Sequence, residues 1–460
     1  MLTENIMLFK THNRYIMIDN FTFNIFLLNE TTFKILEALK RGLNKGEVEK
    51  VFGKNNVSKV CDYINDLKEK KAIYDLKEDF YNSKKIVEGI IPRQPELLEA
   101  VFMLVQCCNM QCKYCYGNSG QFGNKSVMSK EMAKKYFEYF LKSCEEHSRQ
   151  KVKFLGGEPL LNFDIMKYII ELWEQWKSSF LGRDLSFSFT TNGTLFTPEI
   201  VQYIKEKKIG VTISLDGPEN IQNSMRKFHD GSFTYNAVMR GIDLLEKYEV
   251  FFTIRATVTS NENLDELYQY FEEKNFSIVH IIPVDYPMKA KVEDYQWDLK
   301  QYGDYVNREM NLLTEGCDEI SAGNNNTFKA RQMKIIYNDI NFRNKTFPFK
   351  CSAGWWSAVF SSDGYIYPCH RLVGNKHYRI GDYLKGIEVN KIKEIYFKIL
   401  EASKKCNFCI AFTTCKRRCM AQMALPDGNF AEISDELCDI YRDSNKHIWD
   451  LFFKIRDVVD

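Results

Sequence analysis

The sequence predicts an α/β fold: a partial (β/α)6, TIM-like barrel, with a winged-helix-like domain before it and a cysteine-rich domain after it. Three observations carry this expectation. Six apolar stretches between residues 100 and 285 alternate with amphipathic ones, the pattern of a parallel sheet with right-handed helical crossovers. Short aromatic and β-branched stretches, then three amphipathic segments, fill the first eighty or so residues. Cysteines crowd into "CCNMQCKYCYG" (107–117) and again into residues 351–438.

Bulk properties narrow the function classes. A chain of 460 residues has room for about three domains. At 45% hydrophobic and 14% aromatic it can bury a large core, which excludes a disordered chain. Lys plus Arg (63) nearly balances Asp plus Glu (61), so bulk charge indicates no nucleic acid partner. "MLTENIMLFK" lacks a secretion signal, and no stretch approaches the ~20 apolar residues of a membrane span. The expected location is cytoplasmic, with no membrane partner. Thiols stay reduced there, so 14 cysteines point to metal or catalysis rather than disulfides.

Residues 1–80 form the first expected domain: strands from "IMLFKTHNRYIMIDNFTFNIFLLNE", then a helix capped by Thr31 or Thr32, then two more. Cys61 falls on the apolar stripe of the last helix and is expected to be core. The polar stretch 76–97 reads as a linker. The barrel is expected over 98–290, on strands "AVFMLVQ", "KVKFLG", "LSFSFTTNG", "GVTISLDG", "FFTIRATVTS" and "FSIVHIIPV". Cys144 lies on an apolar helical face between two of them. A charged, irregular bridge (291–348), the cysteine-rich domain (349–445) and a terminal helix (446–460) complete the chain. In parallel sheets function gathers at the carboxyl ends of strands, and the unusual polar motifs of this barrel all fall there.

Cys108, Cys112 and Cys115 follow the first barrel strand as C-x3-C-x2-C. Zinc or packed thiols are open readings of such a motif alone. Three thiolates also suit a [4Fe–4S] cluster whose fourth iron takes an outside ligand. With Tyr114, the motif C-x3-C-x-aromatic-C resembles the radical S-adenosylmethionine superfamily. Motifs at the next strand ends strengthen the resemblance: "GGEP" (Gly156, Gly157, Glu158, Pro159), "TTNGT" with Thr191 and Asn192, and "SLDGP" with Ser214 and Asp216, followed by Arg226. The resemblance implies that these residues and Tyr114 contact S-adenosylmethionine. "GGEP" would hold its methionyl amine, through glycines that admit a close backbone approach and a Glu that accepts hydrogen bonds from ammonium. Ser214 and Arg226 would serve its carboxylate and ribose region.

The C-terminal cysteines read C-x12-G-x4-C (Cys351, Cys369), then C-x2-C-x5-C-x3-C-x18-C (Cys406, Cys409, Cys415, Cys419, Cys438). Alone, such spacing suggests zinc. It resembles the SPASM extension of peptide-modifying radical enzymes, which implies two auxiliary [4Fe–4S] clusters and three in all. By that resemblance Cys406, Cys409, Cys415 and Cys438 ligate the distal cluster, and Cys351, Cys369 and Cys419 the nearer one. Cys317, in "TEGCDE", is a candidate fourth ligand from a charged loop. The N-terminal module resembles the leader-recognition element of ribosomal peptide maturases, which pairs a peptide strand against its sheet edge.

Taken together, the resemblance implies a radical enzyme that crosslinks a cysteine-containing precursor peptide, forming a thioether as in sactipeptides and ranthipeptides. The precursor peptide, its leader bound by the N-terminal domain, and an external electron donor such as flavodoxin or ferredoxin are the implied partners. Removing residues 1–80 is expected to spare cofactor cleavage. Rival readings are a carbon–carbon crosslinking maturase and a formylglycine-type sulfatase maturase. The latter resembles this chain but carries a catalytic Asp where this sequence has His370. A zinc-rich winged-helix regulator is the non-enzyme alternative.

Overall fold

The structure, a computed structural model, describes residues 6–11, 14–19, 24–73, 83–143, 149–180, 182–259, 263–284, 298–341, 351–409, 411, 415 and 419–459. Cys144 lies outside them.

Three strands, β1 (Ile6–Thr11), β2 (Arg14–Asp19) and β3 (Ile25–Leu28), form an antiparallel sheet in chain order. Helices α1 (Glu30–Lys40), α2 (Lys45–Phe52) and α3 (Lys54–Glu69) follow. The cap of α1 is Asn29, not Thr31 or Thr32: Asn29 is extended and its side chain accepts from Thr32 N at 2.8 Å. Because strand side chains alternate, the sheet has two apolar faces. Ile6 and Met17 pack on Ile35, Val57, Val60 and Ile64 of the helices, with Cys61 against the same core. Met7, Phe9, Ile16 and Ile18 face the other way, onto Leu313, Cys317, Trp449 and Phe452. The N-terminal unit is thereby packed onto the rest of the chain through a second core.

The expected linker holds a helix, α4 (Ser83–Ile90). Its Ser83 hydroxyl donates to Glu401 at 2.6 Å, and Glu88 pairs with Lys393 at 2.5 Å.

Next come β4 (Glu99–Met103), β5 (Met110–Cys112), α5 (Lys130–Lys142), β6 (Arg149–Leu155), α6 (Phe163–Trp176), β7 (Asp184–Thr191) and α7 (Pro198–Lys207). Then follow β8 (Gly210–Ser214), α8 (Glu219–Met225), β9 (Arg226–Phe228), α9 (Tyr235–Lys247), β10 (Phe252–Val258), α10 (Leu264–Lys274) and β11 (Val279–Pro283). β4, β6, β7, β8, β10 and β11 pair in parallel in that order. These are the six expected barrel strands. Phe102, Phe154, Phe189, Ile213 and Ile254 bury one face of the sheet under the helices, leaving the other face to line a lumen.

The bridge is helical rather than irregular: α11 (Leu299–Ser321) and α12 (Phe328–Asn341). Asp298 and Gln301 form a capping box at the start of α11, and the charges that suggested a loop occupy the solvated side of an amphipathic helix. Cys317 therefore sits on a helix, not in a loop. It is fully buried among Leu313, Ile320 and Met333.

β12 (Ser357–Ser361), β13 (Tyr365–Tyr367), β14 (Gly381–Asp382) and β15 (Gly386–Ile387) continue the barrel sheet, with β12 parallel to β4 and the rest antiparallel. No break in the sheet marks the expected boundary at 349. α13 (Val389–Ala402), α14 (Met420–Met423) and α15 (Asp435–Val459) complete the chain. The last helix starts before residue 446 and carries Cys438. Among the described residues no helix is long and apolar enough to cross a membrane.

Candidate active site

The loop after β4 lies directly on the end of β6. Gly157 N donates to Val105 O at 2.9 Å and Glu158 N to Cys107 O at 3.0 Å. A Cβ on Gly157 would stand 2.1 Å from Cys107 O, so the position tolerates only glycine. The close approach expected toward a ligand is here an approach of one backbone to another.

Glu158 is engaged within the fold. It is fully buried, and its carboxylate accepts from Thr191 Oγ1 at 2.7 Å, Asn192 N at 2.8 Å and Leu160 N at 3.1 Å. Burial pushes its pKa up to about 7 against the pull of these donors. The side chain ties the ends of β6 and β7 together and shows no surface to an ammonium group. Pro159 opens a short 3-10 turn behind it and is buried.

Three thiols gather above these ends. Cys108 Sγ accepts from Met110 N at 3.4 Å and from Asn192 Nδ2 at 3.7 Å, and Cys112 Sγ from Arg226 Nη1 at 3.9 Å. Cys112 and Cys115 act electrostatically on Cys108. Burial pushes the Cys108 thiol up to about 12 and Cys112 to about 11, the latter opposed by Arg226. Metal loading therefore has to displace protons, and the N–H donors stand ready for the resulting thiolates. No three His, Cys, Asp or Glu side chains among the described residues converge as ligands of a single ion.

A buried charge network supports this loop. Asp216, fully buried, takes Arg226 Nε at 2.8 Å and Nη2 at 3.2 Å, Thr257 N at 3.0 Å, and the Tyr114 hydroxyl. The Arg226 guanidinium also lies 5.2 Å from the Tyr114 ring centroid. Pairing of β5 with β9 sets Cys112 opposite Arg226. Arg226 thus spends two nitrogens on Asp216 and turns Nη1 toward the Cys112 thiol. Ser214 ends β8, half-buried.

Asn109 and His229 carry no role from the sequence, and Thr194 is read there only as the end of "TTNGT". Asn192 Nδ2 donates to Asn109 Oδ1 at 2.7 Å, Asn109 Nδ2 to Thr194 Oγ1 at 2.9 Å, and His229 Nε2 contacts Cys108 O at 2.8 Å. All three flank residues the motifs had singled out, and that adjacency was the available signal.

The C-terminal thiols fall into two groups. Cys369 feels Cys419 and Cys351, and Cys351 feels Cys419. Cys438 feels Cys409 and Cys415, while Lys405 feels both Cys438 and Cys406. Arg442 donates to Cys409. Tyr396 Oη anchors the first group through Cys351 O at 2.9 Å and Ala353 O at 2.7 Å. Cys317 joins neither group, since its side chain belongs to the separate core beneath the N-terminal sheet. None of the cysteines among the described residues forms a disulfide.

Between the first site and the C-terminal groups stands Tyr116, another residue the sequence did not single out. Its ring packs edge-on against His370 at 5.8 Å and under Arg371 at 5.5 Å. It is half exposed.

Residues 103–273 match the model of the Radical SAM superfamily. The cysteine-type anaerobic sulfatase-maturating enzyme of Clostridium perfringens (strain 13 / Type A) is 30% identical over 332 residues, 68% of this chain and 85% of that protein. Radical SAM cyclopropyl synthase TigE of Paramaledivibacter caminithermalis is 23% identical over 439 residues, 89% of this chain and 87% of its own. A solved structure, native anSMEcpe with bound AdoMet and Cp18Cys peptide, superposes with a TM-score of 0.63 at 25% identity, covering 80% of this chain and 100% of that one.

Proposed function

The chain belongs to the radical SAM superfamily, and on that premise we propose that it is a maturase that crosslinks a cysteine-containing precursor peptide through a thioether. The observation that carries the radical chemistry is the set of coupled thiols of Cys108, Cys112 and Cys115, each of the first two with its own N–H donor, above the tied ends of β6 and β7. These three would hold the [4Fe–4S] cluster. When bound, the cluster supplies one electron to the sulfonium of S-adenosylmethionine and so yields a 5′-deoxyadenosyl radical able to take hydrogen from a peptide.

The chain's own residues orient and exclude water. Asp216 fixes Arg226 and Tyr114, so the guanidinium is held toward Cys112 without free rotation. Glu158 locks Asn192, which keeps an amide N–H on Cys108. The resemblance assigns the methionyl amine to the segment 156–159, whose Glu158 also ties β6 to β7. Two groups of C-terminal thiols support two auxiliary clusters, and a peptide-bound relative in the solved structures supports a peptide substrate.

Two rivals have specific support. The 30% identity to a sulfatase-maturating enzyme favours formylglycine formation, but His370 replaces the catalytic Asp of that type, and the peptide-bound neighbour covers 80% of this chain. Similarity to a cyclopropyl synthase over 89% of the chain favours carbon–carbon bonding. Co-expression with a cysteine-containing candidate precursor peptide distinguishes the three. A thioether removes two hydrogens and one alkylatable thiol, a carbon–carbon bond removes two hydrogens and no thiol, and formylglycine removes two hydrogens and the thiol while putting oxygen in place of sulfur. Retention of every thiol in a modified product would refute the thioether.

A further inference from the structure

Alternation along β10 fixes where its side chains go. Ile254, Ala256 and Val258 are buried under the helices, so Arg255 projects from the opposite face, into the lumen, and is exposed there. It stands level with Ser214 on one neighbouring strand and His280 on the other. Two residues further along β10, Thr257 N donates to Asp216, which holds Arg226 against the Cys112 thiol. Arg255 therefore faces the lumen on the strand that reaches the first cysteine site.

Among the described residues no carboxylate pairs with this charge, and Asp339 of α12 acts on the neighbouring His280 without an ion pair to Arg255. The lumen carboxylate Glu99 is taken by Lys153 at 3.0 Å, and Asp216 by Arg226 at 2.8 Å. Among the described residues no hydrogen bond or ion pair engages the Arg255 guanidinium. A planar fork of donors without a partner, inside a protein-walled lumen, is suited to a carboxylate.

We propose that Arg255 receives a side-chain carboxylate of the substrate peptide, so that an Asp or Glu lies beside the residue that reacts. The proposal rests on the peptide-maturase reading and adds the charge of the segment that enters the lumen.

The test uses the cluster-loaded enzyme and S-adenosylmethionine under anaerobic conditions. Capped, cysteine-containing peptides carry one Glu scanned through each position, each matched to a peptide with Gln at that place. Binding is read by fluorescence anisotropy. Wild type is expected to bind the Glu peptide about 10-fold more tightly than its Gln partner for at least one position. Arg255→Gln is expected to erase that preference, and Arg255→Lys to retain part of it, which shows that the fold is not what was lost. The assignment is overturned if wild type binds both series equally, or if the preference survives in Arg255→Gln. It is also overturned if Arg255→Gln weakens S-adenosylmethionine binding by a similar factor, because the guanidinium then serves the cofactor carboxylate. If wild type binds neither series, the peptide reading falls too; equal binding of both removes Arg255 alone.

Discussion

Cys108, Cys112 and Cys115 lie beside strand ends that tie their segment down, while Cys406 sits in a 3-10 turn, Cys419 caps a four-residue helix and Cys438 lies on the long α15. The first site is stitched by Gly157 to the backbone of Cys107 and by Glu158 to β7, and its thiols already have N–H partners. Around Cys406 and Cys419 the regular elements are one 3-10 turn and a four-residue helix. Their anchors are single side chains: Tyr396 at Cys351 and Arg442 at Cys409. The first site is held by hydrogen bonds between strand ends, and the described part of the C-terminal sites by single side-chain anchors.

Damage to the fold should accordingly hurt the first site most. Asp216→Asn removes the counter-charge of buried Arg226 and should cost about 3–5 kcal/mol in denaturant unfolding, with loss of 5′-deoxyadenosine formation. A change below about 1 kcal/mol would mean the network is not structural. Gly157→Ala should cost about 1–3 kcal/mol through the clash with Cys107 O. It should lose about a third of the iron while keeping the C-terminal share. If iron fell evenly across all sites, the two plans would not be independent.

Tyr396→Phe probes the other side of the comparison. Losing its hydroxyl from Cys351 O and Ala353 O should cost about 1–2 kcal/mol and speed chelator removal of C-terminal iron, with cofactor cleavage retained. Equal loss from the first site would break the distinction. Cys317→Ala should show the smallest effect, about 1 kcal/mol from a small apolar cavity, with iron content unchanged. Loss of about a third of the iron would return Cys317 to the ligand set.

The same contrast explains what the sequence revealed. The barrel strands were legible because apolar alternation and motif order repeat at each strand end, and the site residues lie beside one another in those motifs. Partnerships were not legible. Nothing local in "GGEP" says that Glu158 is consumed by Thr191 and Asn192, or in "SLDGP" that Asp216 takes Arg226. The bridge was misread because charge density masked the helical stripe that buries Cys317, and β12 because "SAVFS" was absorbed into a cysteine motif. The N-terminal unit was expected to be removable. Its Met7, Phe9, Ile16 and Ile18 share a core with Trp449 and Phe452, so deleting residues 1–80 exposes that core, and substitutions on the sheet edge are the cleaner probe of leader binding.

The central claim is that the three thiols above the barrel strands hold the cluster that cleaves the cofactor. It is tested most directly by iron analysis and 5′-deoxyadenosine formation in the combined Cys108→Ala, Cys112→Ala, Cys115→Ala variant after anaerobic reconstitution. The account predicts ~8 of ~12 irons per chain retained, in two remaining [4Fe–4S] clusters, and no 5′-deoxyadenosine. Zinc in place of iron in the wild type, or cofactor cleavage persisting in the variant, would contradict it.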